Sequence, residues 1–163
     1  MMNLSLFALK LSAILGCGLV AGVFFAFSTF VMQALAQQPP AQGIAAMQSI
    51  NITVINPLFM TAFMGTALVC LVLAIASLFK WHQPSAVYLL VGSLLYLVGT
   101  FLVTIAFNVP LNDALAIANP NSPEGVSLWS TYLTNWTFWN HIRTVAAIAA
   151  TVTFTLAICY RTK

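Results

Sequence analysis

The sequence predicts an all-α integral membrane protein built as a four-helix bundle, and three observations carry that prediction. The 163 residues are 61% hydrophobic and only 4% charged, whereas a water-soluble domain carries about 25% charge to coat its core. The apolar residues gather in four runs, each able to supply the roughly 20 helical residues that cross a bilayer. One short turn and two longer polar segments separate the runs, which suits an antiparallel bundle with both long loops on one side. Residues 1–163 read as one transmembrane domain without internal repeats.

The first span is expected from about Leu4 to Ala36. Its end, "QALAQQ", carries an A-x-A pattern that resembles a signal-peptidase site. The apolar run before it, Leu11 to Met32, exceeds the roughly 7–15 residues of a signal h-region, so the helix is read as retained. Gly18, Gly22 and Ala26 recur every fourth residue, a small-residue stripe that lets another backbone approach, within the bundle or in a homo-oligomer. Thr29 and Gln33 continue it, and the Gln33 amide needs a partner at membrane depth. The uncharged loop "QQPPAQGIAAMQSINITVIN" follows, whose Pro39-Pro40 pair stops one helix or starts another.

The second span is placed at about 57–79 and the third at about 85–107. The third ends in "FNVPLND", where Pro110 removes a backbone donor and is expected to kink or stop the helix. Asn108 and Asn112 share a face if it continues, with Thr104 and Thr100 below them. The fourth span is placed at about 139–160. Before it lies the only stretch with acidic residues, holding Asp113 and Glu124. Both long loops are expected to include short amphipathic helical segments.

Lys10, Lys80 with His82, and Arg161 with Lys163 fall on one side of such a bundle. The positive-inside rule then gives N-in, C-in. The long loops face outward, toward the periplasm for a protein of the bacterial inner membrane. The net charge of +3 is spread over scattered positions and makes no nucleic-acid patch. Arg143 is the one basic residue left on the outer side.

On a helix at about 100° per residue, Trp129, Tyr132, Trp136, Trp139, Asn140 and Arg143 share a face about 100° wide. An interfacial aromatic belt accounts for Trp129 and Tyr132. An ionisable group where the apolar span begins is costly, faces the bundle interior, and asks for a partner; Asp113 is the nearer carboxylate. His141 points about 140° away from Trp136 on a regular helix, so imidazole and guanidinium face different neighbours. These residues outline an outer pocket with aromatic walls, amides from Asn108, Asn112 and Asn140, and one guanidinium. Gln33, Gln48 and Asn51 would roof it. Such a lining suits a flat, oxygenated lipophile arriving from the lipid.

Other classes lack their residues. Cys17, Cys70 and Cys159 lie in apolar runs with no C-x-x-C pair, against a thiol oxidoreductase. His82 and His141 fall at opposite faces and cannot share a haem iron. No grouping of His, Cys, Asp and Glu has metal-ligand spacing. No span interior holds the acidic residue of a proton-coupled carrier.

The motifs "FFAFSTFVMQAL", "MQSIN", "NVPLNDAL" and "WNHIRT" resemble those of the anthrone oxygenase family of small membrane proteins, over most of the chain. The resemblance is to its bacterial members. It implies oxidation of an anthrone-like or quinol-like aromatic without a bound cofactor, and no metal. An anthrone's benzylic proton is acidic because its anion is a phenolate-like enolate; that anion reduces dioxygen, and the peroxide formed loses water to give the quinone. On this resemblance His141 is the base, with Asp113 as the alternative. Arg143 with Asn108 or Asn112 stabilises the oxyanion, and Trp136 and Trp139 stack on the rings. Two readings stand beside it: a non-catalytic binder of a quinone-like lipophile, and a structural or partner subunit.

Overall fold

The computed structural model describes residues 4–160, which fold into five helices. These are α1 (Leu4–Ala36), α2 (Pro40–Thr53), α3 (Pro57–Phe79), α4 (Pro84–Ala116) and α5 (Pro123–Cys159). Arg161 and Lys163, two of the residues that argued orientation, lie outside the described residues. Proline opens four of the five helices, α2 through α5, because the first helical residue has no use for its N–H and proline presets φ. Two starts are also capped. Asn56 Oδ1 accepts from the Phe59 N–H at 3.0 Å and Ser122 Oγ from the Gly125 N–H at 3.0 Å.

Pro110 does not stop the third span. α4 runs through it to Ala116, and α5 begins at Pro123 rather than near Trp139. A proline ring in a helix clashes with the carbonyl four residues earlier. Here the turns ahead of it are wider: α4 is π-helical over Leu97–Leu102 and Thr104–Asn108, which moves that carbonyl off its usual line. α1 has one such stretch, Phe27–Val31. At about 1.5 Å per residue, α3 matches a hydrocarbon core of about 30 Å, while α1, α4 and α5 overshoot it.

The interior has two apolar clusters. One, nearer the chain termini, packs Ala13, Cys17, Val20, Phe24, Phe63, Cys70, Leu73, Leu89, Tyr96 and Phe154. The other, at the loop end, packs Met32, Ile44, Met47, Leu115, Trp129, Tyr132 and Trp136. α2 closes this second cluster over the extended ends of α1, α4 and α5. Outward-facing Leu15, Leu19, Leu68, Leu71, Leu94 and Val145 are exposed, as side chains solvated by lipid tails would be.

The small stripe of α1 does not seat another helix of this chain. α1 buries Cys17, Val20, Ala21 and Phe24 instead, and a Cβ at Gly22 would meet nothing within 4 Å. Gly18 and Gly22 floor a groove of about 290 Å³ walled by Phe25, Ile148, Thr151 and Val152. Close approaches between spans are held by other glycines: Gly16 on α1, where a Cβ would run into the Thr66 side chain of α3, and Gly99, in the first π-helical stretch of α4. A Cβ at Gly99 would lie 2.6 Å from the Ala146 methyl.

Candidate functional site

Between the two apolar clusters lies a polar layer, reached along each helix in turn. It contains Ser28 on α1, Thr100, Thr104 and Asn108 on α4, and Asn140, Arg143 and Thr144 on α5. Every α1 and α4 member sits in a π-helical stretch. Such stretches shift the side-chain register and leave carbonyls looking for other donors. Phe24 O and Phe25 O, at the entry to the α1 stretch, accept from Asn140 Nδ2 at 2.8 Å and from Thr29 Oγ1 at 2.7 Å.

Arg143 is the centre of the layer and is only 4% exposed. Its Nε donates to Asn140 Oδ1 at 2.9 Å and its Nη1 to Thr104 Oγ1 at 3.3 Å. The guanidinium carbon lies 4.0 Å from the Phe24 ring centre and 4.7 Å from that of Trp136, so two aromatic faces hold the cation. A guanidinium has five N–H donors, and the rest of them meet no acceptor among the described residues. No carboxylate among those residues pairs with the charge.

The neighbours fix this cation in place. Asn140 Nδ2 also donates to Ser28 Oγ at 2.6 Å, so the amide that holds Arg143 is itself held at both ends. Ser28 Oγ and Thr144 Oγ1 are 3.0 Å apart, and Thr144 donates to Asn140 O at 2.6 Å. Thr100 Oγ1 donates to Arg143 O at 3.3 Å.

Above the guanidinium, Asn112 Oδ1 accepts from Tyr132 OH and from Trp136 Nε1, both at 2.8 Å. That locks the indole that covers Arg143. Asn108 is fully buried; its Nδ2 donates to Trp136 O at 3.2 Å, and its Oδ1 has no partner. Asn51 Nδ2 is likewise buried and unpaired. Gln48 Nε2 donates to Leu115 O at 2.8 Å and Ala118 O at 3.1 Å, fastening α2 over the end of α4.

The family model for anthrone oxygenase matches residues 59–153, more than half of the chain. The chain belongs to the anthrone oxygenase family. The matched stretch holds every α4 and α5 member of the layer, while Phe24 and Ser28 lie before it. No curated protein and no solved structure matches the chain. With four helices long and apolar enough to cross a membrane, this anthrone oxygenase family member is an integral membrane protein.

Within this family member the structure brings together Asn108, Asn112, Trp136, Asn140 and Arg143 from the residues singled out in sequence. It sets the others apart. Asp113 is exposed and forms no ion pair with Arg143: because α4 stays helical past Pro110, Asp113 is turned about 100° from the inward Asn112. His141 is exposed, one residue round from the buried Asn140. Gln33 is exposed beside the buried Met32 and does not join Gln48 and Asn51. Trp139 is half-buried and stacks on Phe107, ring centres 3.6 Å apart.

One member of the layer, Ser28, and the Phe24 ring that faces the guanidinium carry no mark of their own in the sequence. Ser28 and Phe24 lie on the line Cys17, Val20, Phe24, Ser28, Met32, whose three- and four-residue steps mark the buried face.

Proposed function

We propose that this protein binds a planar, enolisable aromatic ketone from the bilayer and stabilises its enolate at Arg143 for reaction with dioxygen. The observation that carries this reading is the buried, rigidly held guanidinium with no carboxylate partner and with N–H donors to spare. A buried cation without a counter-charge is costly unless something pairs with it. An enolate oxygen formed during turnover would be that partner, and it would meet donors already in place, which is the arrangement that stabilises developing negative charge.

The chemistry balances without another reagent. The benzylic carbon gives its proton to a base; the enolate passes one electron to dioxygen, and the carbon radical joins the superoxide to form a peroxide. Protonation and loss of water leave the quinone, so one dioxygen yields one quinone and one water. Dioxygen is the oxidant, and neither step calls on a bound cofactor. Trp136, Phe24 and the unpaired Asn108 Oδ1 would receive the rings and the phenolic hydroxyls.

Access is through the groove between α1 and α5. Phe25 and Ile148, which wall it, stand one helical turn from Ser28 and Thr144, whose hydrogen bond borders the layer. The proton acceptor belongs at the rim, where His141 and Asp113 are the exposed titratable neighbours of Asn140 and Asn112. By the positions of Lys10 and Lys80, the layer lies on the non-cytoplasmic side, the periplasmic one in a bacterial inner membrane.

The test is anaerobic binding of anthrone, then turnover in air, with purified protein in detergent beside a no-protein blank. Wild type should exceed the blank. Arg143→Gln should lose about 10²–10³ in rate, the usual effect of removing an oxyanion donor. Loss of turnover in His141→Gln assigns the proton to the imidazole, loss in Asp113→Asn assigns it to the carboxylate, and retention in both assigns it to water. Binding with no turnover above the blank would make the protein a carrier. A folded Arg143→Gln with wild-type turnover would sink the reading.

A further inference from the structure

The polar layer holds one feature that a cation does not explain. A guanidinium offers donors only, so Arg143 can meet the oxygen of a ketone or its enolate and nothing that itself donates. Asn108 supplies the opposite. The residue is 0% exposed, and its Nδ2 donates to Trp136 O at 3.2 Å. A carbonyl oxygen can only accept, so the amide must turn its nitrogen to Trp136. That leaves Oδ1, a buried acceptor, without a donor.

Donors and acceptor are set in register by one short piece of backbone. Thr104 and Asn108 are the first and last residues of the second π-helical stretch of α4, about one turn apart. Thr104 Oγ1 accepts from Arg143 Nη1 at 3.3 Å and donates to Thr100 O at 2.8 Å. The free N–H groups of the guanidinium therefore lie beside Thr104, and the free acceptor lies about one turn along the same helix. A ligand spanning both needs an acceptor oxygen at one point and an O–H at the other.

We propose that Asn108 is a specificity-determining residue, whose Oδ1 accepts from a phenolic hydroxyl set away from the ketone of the bound aromatic. This rests on the reading that the ketone oxygen meets Arg143. A hydroxyl on the ring carbon next to the ketone gives its proton internally to that ketone and brings Asn108 nothing. One carbon further round the ring the proton is free, and the two oxygens are separated on the scale of a helical turn. A ligand without a hydroxyl leaves Oδ1 unpaired, and a methyl ether adds bulk with no proton to give. A buried group placed to bond a substrate hydroxyl discriminates strongly against analogues that lack it.

The experiment is anaerobic equilibrium binding of stable quinones to the purified protein in detergent, at mildly acidic pH so that a phenol keeps its proton. The probes are anthraquinone, 1-hydroxyanthraquinone, 2-hydroxyanthraquinone and 2-methoxyanthraquinone. The 2-hydroxy compound should bind about 10–100-fold tighter than anthraquinone, the effect of one hydrogen bond to a buried acceptor. The 1-hydroxy compound should bind like anthraquinone, and the methyl ether more weakly than either. Asn108→Leu should bring the 2-hydroxy compound down to the level of anthraquinone in the same variant. If that variant fails to fold, the order of the ligands on wild type carries the test. Equal binding of all the quinones would overturn the proposal, as would binding of none, a preference for the 1-hydroxy compound, or a 2-hydroxy preference that survives Asn108→Leu. Turnover of anthrone without the expected order would keep the enolate at Arg143 and overturn Asn108 alone. The expected order without turnover would keep Asn108 and make the protein a selective carrier.

Discussion

The apolar cluster around Phe154 and the polar layer around Arg143 share α1, α4 and α5, to which the cluster adds α3, and they lie within a few turns of one another, yet they are held by different means. In the cluster, side chains fill space and ask for little else. Its largest polar group, Tyr96 OH, donates to Phe63 O at 3.0 Å, and the one unpaired atom nearby is the neutral Ser93 Oγ. In the layer a full charge is buried, several of its donors are unused, and Asn108 Oδ1 faces no donor. The π-helical stretches carry every α1 and α4 member of the layer and none of the cluster's buried residues. A bundle needs only the first arrangement. The second is expensive and gains nothing for the fold, which is why it reads as a site.

Truncation separates the two most sharply. Phe154→Ala opens a cavity against Gly92 and Tyr96 in a place where packing is the main source of cohesion, and should cost about 3–5 kcal/mol in denaturant unfolding from detergent. Arg143→Met should change stability by less than about 1 kcal/mol. Removing an uncompensated buried charge stabilises, and leaving Asn140 Oδ1 without its donor destabilises by a similar amount. A loss of several kcal/mol in Arg143→Met would mean that the guanidinium is a structural strut, and the contrast between the regions would collapse.

How far the sequence alone reaches differs between the same two regions. The spans follow from hydropathy, since lipid leaves a helix no other way to satisfy its backbone, and α1 and α3 run where the sequence places them. The helix face that carries Trp136, Asn140 and Arg143 also follows from a regular period, because α5 is regular. α4 is different. Its two π-helical stretches carry it past Pro110, and no pattern of residue types marks a widened turn, so the sequence leaves open a kink, a stop or a continuing helix there and offers Asp113 as the nearer partner for Arg143. Ser28 is hidden for a related reason: it meets Asn140 Nδ2 and Thr144 Oγ1 of α5 from within the π-helical stretch of α1, whose shifted register no residue pattern marks.

Asn112 tests how tightly the layer is built. Asn112→Leu keeps the volume but takes one acceptor from both Tyr132 OH and Trp136 Nε1. Leaving two donors unpaired should cost about 2 kcal/mol. It should also loosen the indole over Arg143, so anthrone binding weakens along with stability. If stability falls and binding does not, Trp136 is a roof rather than part of the site.

The smallest effect on folding is expected from the groove, and there the two readings of the glycine stripe diverge. A Cβ at Gly22 meets nothing within 4 Å, so Gly22→Leu should shift stability by no more than about 0.5 kcal/mol. The leucine would nevertheless fill much of the groove between α1 and α5. If that groove is the way in from the bilayer, anthrone should associate more slowly with Gly22→Leu while its equilibrium affinity stays near wild type, because the layer itself is untouched. If the groove instead seats a second copy of the chain, the variant should shift the protein to monomer in detergent with its association rate unchanged. Stopped-flow binding and analytical ultracentrifugation on one preparation decide between the two.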